Sequence, residues 1–102
     1  MKKFEISSLL NDFISSILKI PLWVRILRIL EIKSFSSEEI SNFLKEDEKR
    51  VYDEIENLRK NQLILMSPQR RESKIIKIYE ILPEGVEKLR IVHKLRTNLN
   101  FL

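Results

Sequence analysis

Cysteine is absent from this chain of 102 residues, which excludes a disulfide framework, a thiolate nucleophile and a cysteine-based zinc site. Histidine occurs once, at His93, so one subunit cannot build a multi-histidine metal cluster and a serine-type triad would have a single candidate base. His93 reads as a helix-surface or interface residue. No enzyme, cofactor or metal site is expected from so thin a supply of nucleophile, base and ligands. Glycine also occurs once, at Gly85, and proline three times, so tight turns are few and helices should outweigh a many-stranded sheet. Long uninterrupted apolar runs are missing too. The longest, from Ile20 to Ile32, is cut by Arg25 and Arg28 and is too short to span a bilayer. The opening Met1-Lys2-Lys3 is signal-like, but Glu5 and Asp12 break the apolar stretch that should follow. The chain reads as a cytoplasmic protein without repeats, linkers or low-complexity segments.

What is present suffices for one folded domain over residues 1–102. Hydrophobic residues make up 43% and charged residues 33%, and 19 Lys and Arg against 15 Asp and Glu leave a net charge of +4. That balance permits an anionic partner without demanding one. Ile6, Leu9, Leu10, Phe13, Ile14, Ile17 and Leu18 recur at helical spacing opposite serines, Asn11 and Asp12, which predicts an amphipathic helix within residues 1–20. Its polar face has little positive charge, so a membrane surface is a poor partner. From Leu22 to about Lys33 the apolar residues cover most of the circumference, leaving Arg25, Arg28 and Glu31 as a polar stripe. Such a helix belongs in the middle of the domain.

Ser36 and Glu39 have the spacing of a capping box, predicting a short helix from about Ser37 to Leu44 that buries Ile40, Phe43 and Leu44. Asp47 is a good N-cap for the next helix, in which Val51, Ile55 and Leu58 form the buried stripe and Arg59 and Lys60 precede a stop near Asn61. Leu63–Met66 and Ile75–Leu82 then read as two strands joined by residues 67–73, a polar and basic hairpin tip. Pro83 suits the first turn of a last helix carrying Val86, Leu89, Val92, Leu95 and Leu99 on one side.

The order is thus mainly α with a small β-hairpin. The run LWVRILRILEIKSFSSEEISNFLKEDEKRVYDEIENLRKNQLILM, followed by YEILPEGVEKL, resembles the winged helix-turn-helix of bacterial and archaeal regulators of the MarR, PadR and ArsR types, over roughly residues 22–89. The resemblance implies an α+β fold with a core at residues 21–82, to which the helical pattern adds an N-terminal helix at 1–20, read as a dimerisation helix, and a closing helix at 83–102. It also implies binding to double-stranded DNA. Two departures stand out. Relatives often have glycine between the paired helices where this chain has Leu44-Lys45-Glu46-Asp47, and a left-handed residue there costs roughly 1 kcal/mol. They often have Ser or Thr before the last helix, where Leu82 offers no capping side chain.

With Val51, Ile55 and Leu58 inward, about 100° per residue places Lys49, Asp53, Glu56 and Lys60 on the far face, with Arg50 and Asn57 to one side and Tyr52 to the other. The candidate DNA contacts are therefore Lys49, Arg50, Tyr52, Asp53 and Asn57 on the helix, with Arg70, Arg71 and Lys74 at the hairpin tip. Arg50 is the best base reader, since an arginine can bind guanine O6 and N7 together. Each group has a plainer reading: the helix face as solvated ion pairs, the arginines as charge that keeps a sheet edge soluble. The charge split matters here. Residues 36–62 hold five basic and eight acidic residues, a net of −3, while residues 68–80 hold four basic and two acidic ones, a net of +2.

The function expected is that of a sequence-specific DNA-binding protein, a homodimeric transcriptional regulator. The dimer would form through Ile6, Leu9, Leu10, Phe13, Ile17, Val92, Leu95 and Leu99, because two apolar stripes near the chain ends exceed what one small domain can cover. The rival is a winged-helix interaction module whose acidic helix-turn-helix binds a basic protein.

Overall fold

The computed structural model describes residues 20–100, with side chains through Leu95. The helix expected from Ile6 to Leu18 lies outside the described residues. Within them the order is α1 (Leu22–Ile32), α2 (Ser37–Leu44), α3 (Glu48–Lys60), β1 (Ile64–Arg71), β2 (Lys74–Ile81) and α4 (Pro83–Asn100).

Local chemistry sets the helix ends. Pro21 precedes α1 and its carbonyl accepts from Val24 and Arg25 N–H. At α2 the capping box forms in full: Ser36 Oγ accepts from Glu39 N–H at 3.2 Å, and Glu39 Oε1 accepts from Ser36 N–H at 2.9 Å. Asp47 Oδ2 caps α3 by accepting from Arg50 N–H at 3.0 Å. Without glycine, the α2–α3 turn still enters the left-handed region, at Lys45 (φ 55°, ψ 44°), where the Lys45 and Glu46 N–H groups both donate to Ser41 O.

The three helices close on a core of Val24, Ile26, Leu27, Leu30, Ile40, Val51, Ile55 and Leu58, extended by Ile64 and Tyr79 from the hairpin and Leu89 from α4. Burying each such side chain contributes about 1.5–3 kcal/mol. One expectation about apolar residues fails. Phe43 is not in the core but 64% exposed, its ring edge-on to Phe35 at 5.1 Å, because the inner side of α2 is taken by Ile40 and Ser41, with Leu44 partly buried against the core. Ile32 is 78% exposed at the end of α1, where the helix has outrun the elements that cover it.

The hairpin also differs from its expectation. Residues 67–71 are strand, not tip: β1 and β2 pair from Ile64–Ile81 to Arg71–Lys74, and only Glu72 and Ser73 turn. Both have positive φ (49° and 63°), as the tight hairpin turn that follows a right-handed strand twist requires. Pro68 stands opposite Lys77 on a strand with no neighbour on its other edge among the described residues, where a missing N–H is tolerated. A third backbone segment joins β2 through one isolated bridge: Phe35 N–H donates to Tyr79 O at 3.1 Å, and Tyr79 N–H donates to Phe35 O at 2.8 Å. Gly85, one turn into α4, is buried so tightly that a Cβ would fall 2.5 Å from Leu63 O.

Candidate nucleic-acid interface

Two surfaces carry the candidate residues, the outer face of α3 and the β1–β2 hairpin, the wing. On α3, Val51, Ile55 and Leu58 are buried, and this leaves Lys49, Arg50, Tyr52, Asp53 and Asn57 exposed, the set expected from the sequence. Glu56 is more sheltered than the others and forms an ion pair with Arg59 at 3.1 Å. Lys49 and Asp53 approach to 3.8 Å with both side chains largely in solvent, a pair of small energetic weight. Arg50 differs. Its Nη1 donates to Glu46 Oε2 at 2.9 Å, while the other oxygen of the same carboxylate accepts from Arg25 Nη2 of α1 at 3.1 Å. Asn57 also lines a half-open cleft of about 370 Å³ between α1, α3 and α4, with Trp23, Glu54, Leu58 and Lys88.

Strand alternation divides the wing's cations between two faces. Arg71 and Lys74 are a cross-strand pair and share one face, while Arg70 lies on the other, beside Ile75 and on the face of Lys77. The adjacent arginines are therefore not one patch. Lys77, exposed and near Arg70, joins the candidate cations, and only the pairing register could reveal it.

Arg71 reaches back to the helices, its Nη1 3.4 Å from Glu39 Oε1 and its Nε donating to Gln69 Oε1 at 3.1 Å. The Glu39 carboxyl is held below its usual pKa, chiefly by the Ser36 backbone N–H, helped by the Ser36 hydroxyl and Arg71. Tyr79, near the base of β2, is shifted the other way because burial disfavours the phenolate.

Along α4, Leu89 is buried and Val92 is partly buried against the core, while Val86, Ile91 and Leu95 (59%) are exposed. Val92 thus gives part of its surface to the monomer. Ile6, Leu9, Leu10, Phe13 and Ile17 lie outside the described residues, as does the Leu99 side chain. His93 is exposed on α4. Among the described residues no group of three or more metal-ligand side chains converges, and no helix is long and apolar enough to cross a membrane.

Arrangement and topology together match solved structures closely in shape. A PadR-family transcription regulator from Clostridium difficile R20291 superposes with a TM-score of 0.73 at 20% identity, over 78% of this chain and 90% of that one. Bacillus subtilis PadR, solved in complex with operator DNA, gives 0.64 at 22% identity over 68% of this chain. The fold is a winged helix. The match spans only 44% of that PadR chain, so the present domain corresponds to a part of it. A Lactococcus lactis ZitR mutant in complex with DNA matches over 99% of this chain and 81% of its own, with a TM-score of 0.68 at 14% identity. No family model matches the chain, and no curated protein matches it in sequence.

Proposed function

We propose that this winged helix is a sequence-specific regulator of transcription that binds double-stranded DNA as a homodimer in the cytoplasm, without catalysing a reaction. The observation that carries the reading is the exposed α3 face, with Lys49 and Arg50 in its first turn, together with a wing bearing Arg70, Arg71, Lys74 and Lys77. A helix so presented enters a major groove with its first turn toward base edges. The wing supplies phosphate contacts that position the protein without reading sequence. DNA complexes of Bacillus subtilis PadR and Lactococcus lactis ZitR, which share the fold, support the assignment.

Dimerisation is proposed through residues 1–20 and 83–102. Its support is the exposed Val86, Ile91 and Leu95 on α4, together with the apolar stripe of residues 6–18 in the sequence.

A gel shift on mixed genomic fragments at two salt concentrations tests the proposal. Retarded DNA that is released as salt rises is the expected result. The net −3 of residues 36–62 favours one other reading, an interaction module for a basic protein. Absence of any salt-sensitive retardation would favour that module.

A further inference from the structure

We propose that Glu46 is a positioning residue for base recognition: anchored by Arg25 of α1, its carboxylate holds the Arg50 guanidinium at the start of α3 with one hydrogen-bonding edge open to a guanine. The proposal rests on the DNA-binding reading above and adds to it a residue that does not itself touch DNA.

The carboxylate is fixed from its own backbone outward. Glu46 follows the left-handed Lys45, and its N–H donates to Ser41 O at 3.1 Å, so the turn closes onto the end of α2. Its side chain is only 21% exposed and spans two guanidiniums, with Oε1 on Arg25 Nη2 and Oε2 on Arg50 Nη1. Arg25 is a committed anchor. Its Nε is buried with no hydrogen-bond partner among the described residues, a cost that the ion pair of its Nη2 with Glu46 helps to offset.

Arg50 is held at both ends, its N–H by Asp47 Oδ2 at 3.0 Å and its Nη1 by Glu46. The Nε–Nη2 edge has no partner among the described residues. That edge presents two parallel N–H donors, the geometry that meets guanine O6 and N7. An arginine held beforehand loses less rotamer freedom on binding than one waving in solvent. The three charged groups together remain net positive, so the carboxylate orients Arg50 without turning the helix start anionic. Lys49–Asp53, the neighbouring pair, has no such anchor among the described residues.

The test begins by selecting a preferred duplex from a random library with the wild-type protein. Affinities for that duplex and for a random-sequence duplex are then compared at one salt concentration. Arg50→Ala should lower the ratio of the two roughly 5- to 150-fold, the range for removing one bidentate base interaction. Glu46→Ala should lower the same ratio by a smaller factor, while affinity for the random duplex holds or rises because a carboxylate is gone. Introduced into Arg50→Ala, it should cause no further loss of the ratio, since its effect passes through Arg50. Glu46→Gln keeps the shape of the turn and should give an intermediate loss; it carries the test if Glu46→Ala fails to fold. A full wild-type ratio in a folded Glu46 variant, or an equal loss with Arg50 already removed, would overturn the proposal alone. Failure of the wild type to enrich any duplex would overturn the DNA-binding reading and the proposal with it.

Discussion

In the helix-turn-helix, residues 36–62, eight carboxylates outnumber five cations, and most of its charges are occupied in caps or ion pairs. In the wing, residues 68–80, four cations face two carboxylates and most side chains stand in solvent. The first region is overdetermined by core packing and two capped helices. The second is a two-stranded ribbon held at its base by Met66, Ile78 and Tyr79 and turned by two strained residues. The contrast separates two tasks. In the proposed DNA complex, a wing of this charge would attract any duplex, whereas a helix whose cations are tied to carboxylates would gain little from phosphates and would discriminate through geometry.

The contrast in packing predicts the largest stability difference. Ile55→Ala, in the α3 stripe, should cost about 2–5 kcal/mol, while Ile75→Ala near the wing turn, 70% exposed, should stay within about 0.5 kcal/mol. Urea melts of both variants measure the gap, and equal losses would erase the distinction between the two regions. Gly85→Ala probes the joint between them. Its Cβ meets the Leu63 carbonyl, a backbone atom that cannot swing aside, so a loss of about 1–3 kcal/mol is expected in the same melts.

Much of the helical half is legible in the sequence because its signals are local. Ser36 with Glu39, Asp47 before a Val51–Ile55–Leu58 stripe, and Asn61 as a stop all act within one or two turns of helix. Phe43 misleads, since i, i+3 spacing from Ile40 says which face a residue shares and not whether anything covers it. The first wing strand reads too short because Pro68 and two arginines look like turn chemistry, and because the true turn, Glu72-Ser73, has neither the glycine nor the asparagine that usually marks positive φ. The Phe35–Tyr79 bridge and the Arg25–Glu46 pair join residues far apart in sequence, so no local pattern announces them. Lys77 belongs to the same class, as its place beside Arg70 follows from register alone.

Smaller effects sharpen the comparison further. Ser36→Ala should remove about 1 kcal/mol by opening the capping box, and replacing Glu72-Ser73 with Asn-Gly should raise stability by a similar or smaller amount by relieving the turn. Thermal melts that show the reverse order of sign would mean that the wing, and not α2, is the better formed element.

Acid should weaken the link between the regions. The Glu39 pKa is depressed in the folded state, so its contribution is present above the ordinary carboxylate pKa and is lost as pH falls through the folded value. Glu39→Gln should therefore flatten the acid side of the stability profile, with an effect limited by solvent screening of a partly exposed group.

The division of labour itself is tested most directly by the salt dependence of DNA binding, measured for the wild type and for the Arg70→Ala, Arg71→Ala double variant on one duplex. Each neutralised phosphate contributes about 0.9 to the slope of log affinity against log salt. With the wing as the source of attraction, the double variant should bind more weakly, and its slope should flatten by about that amount for every phosphate it no longer neutralises, doubled in a dimer. Unchanged affinity and an unchanged slope would contradict the account.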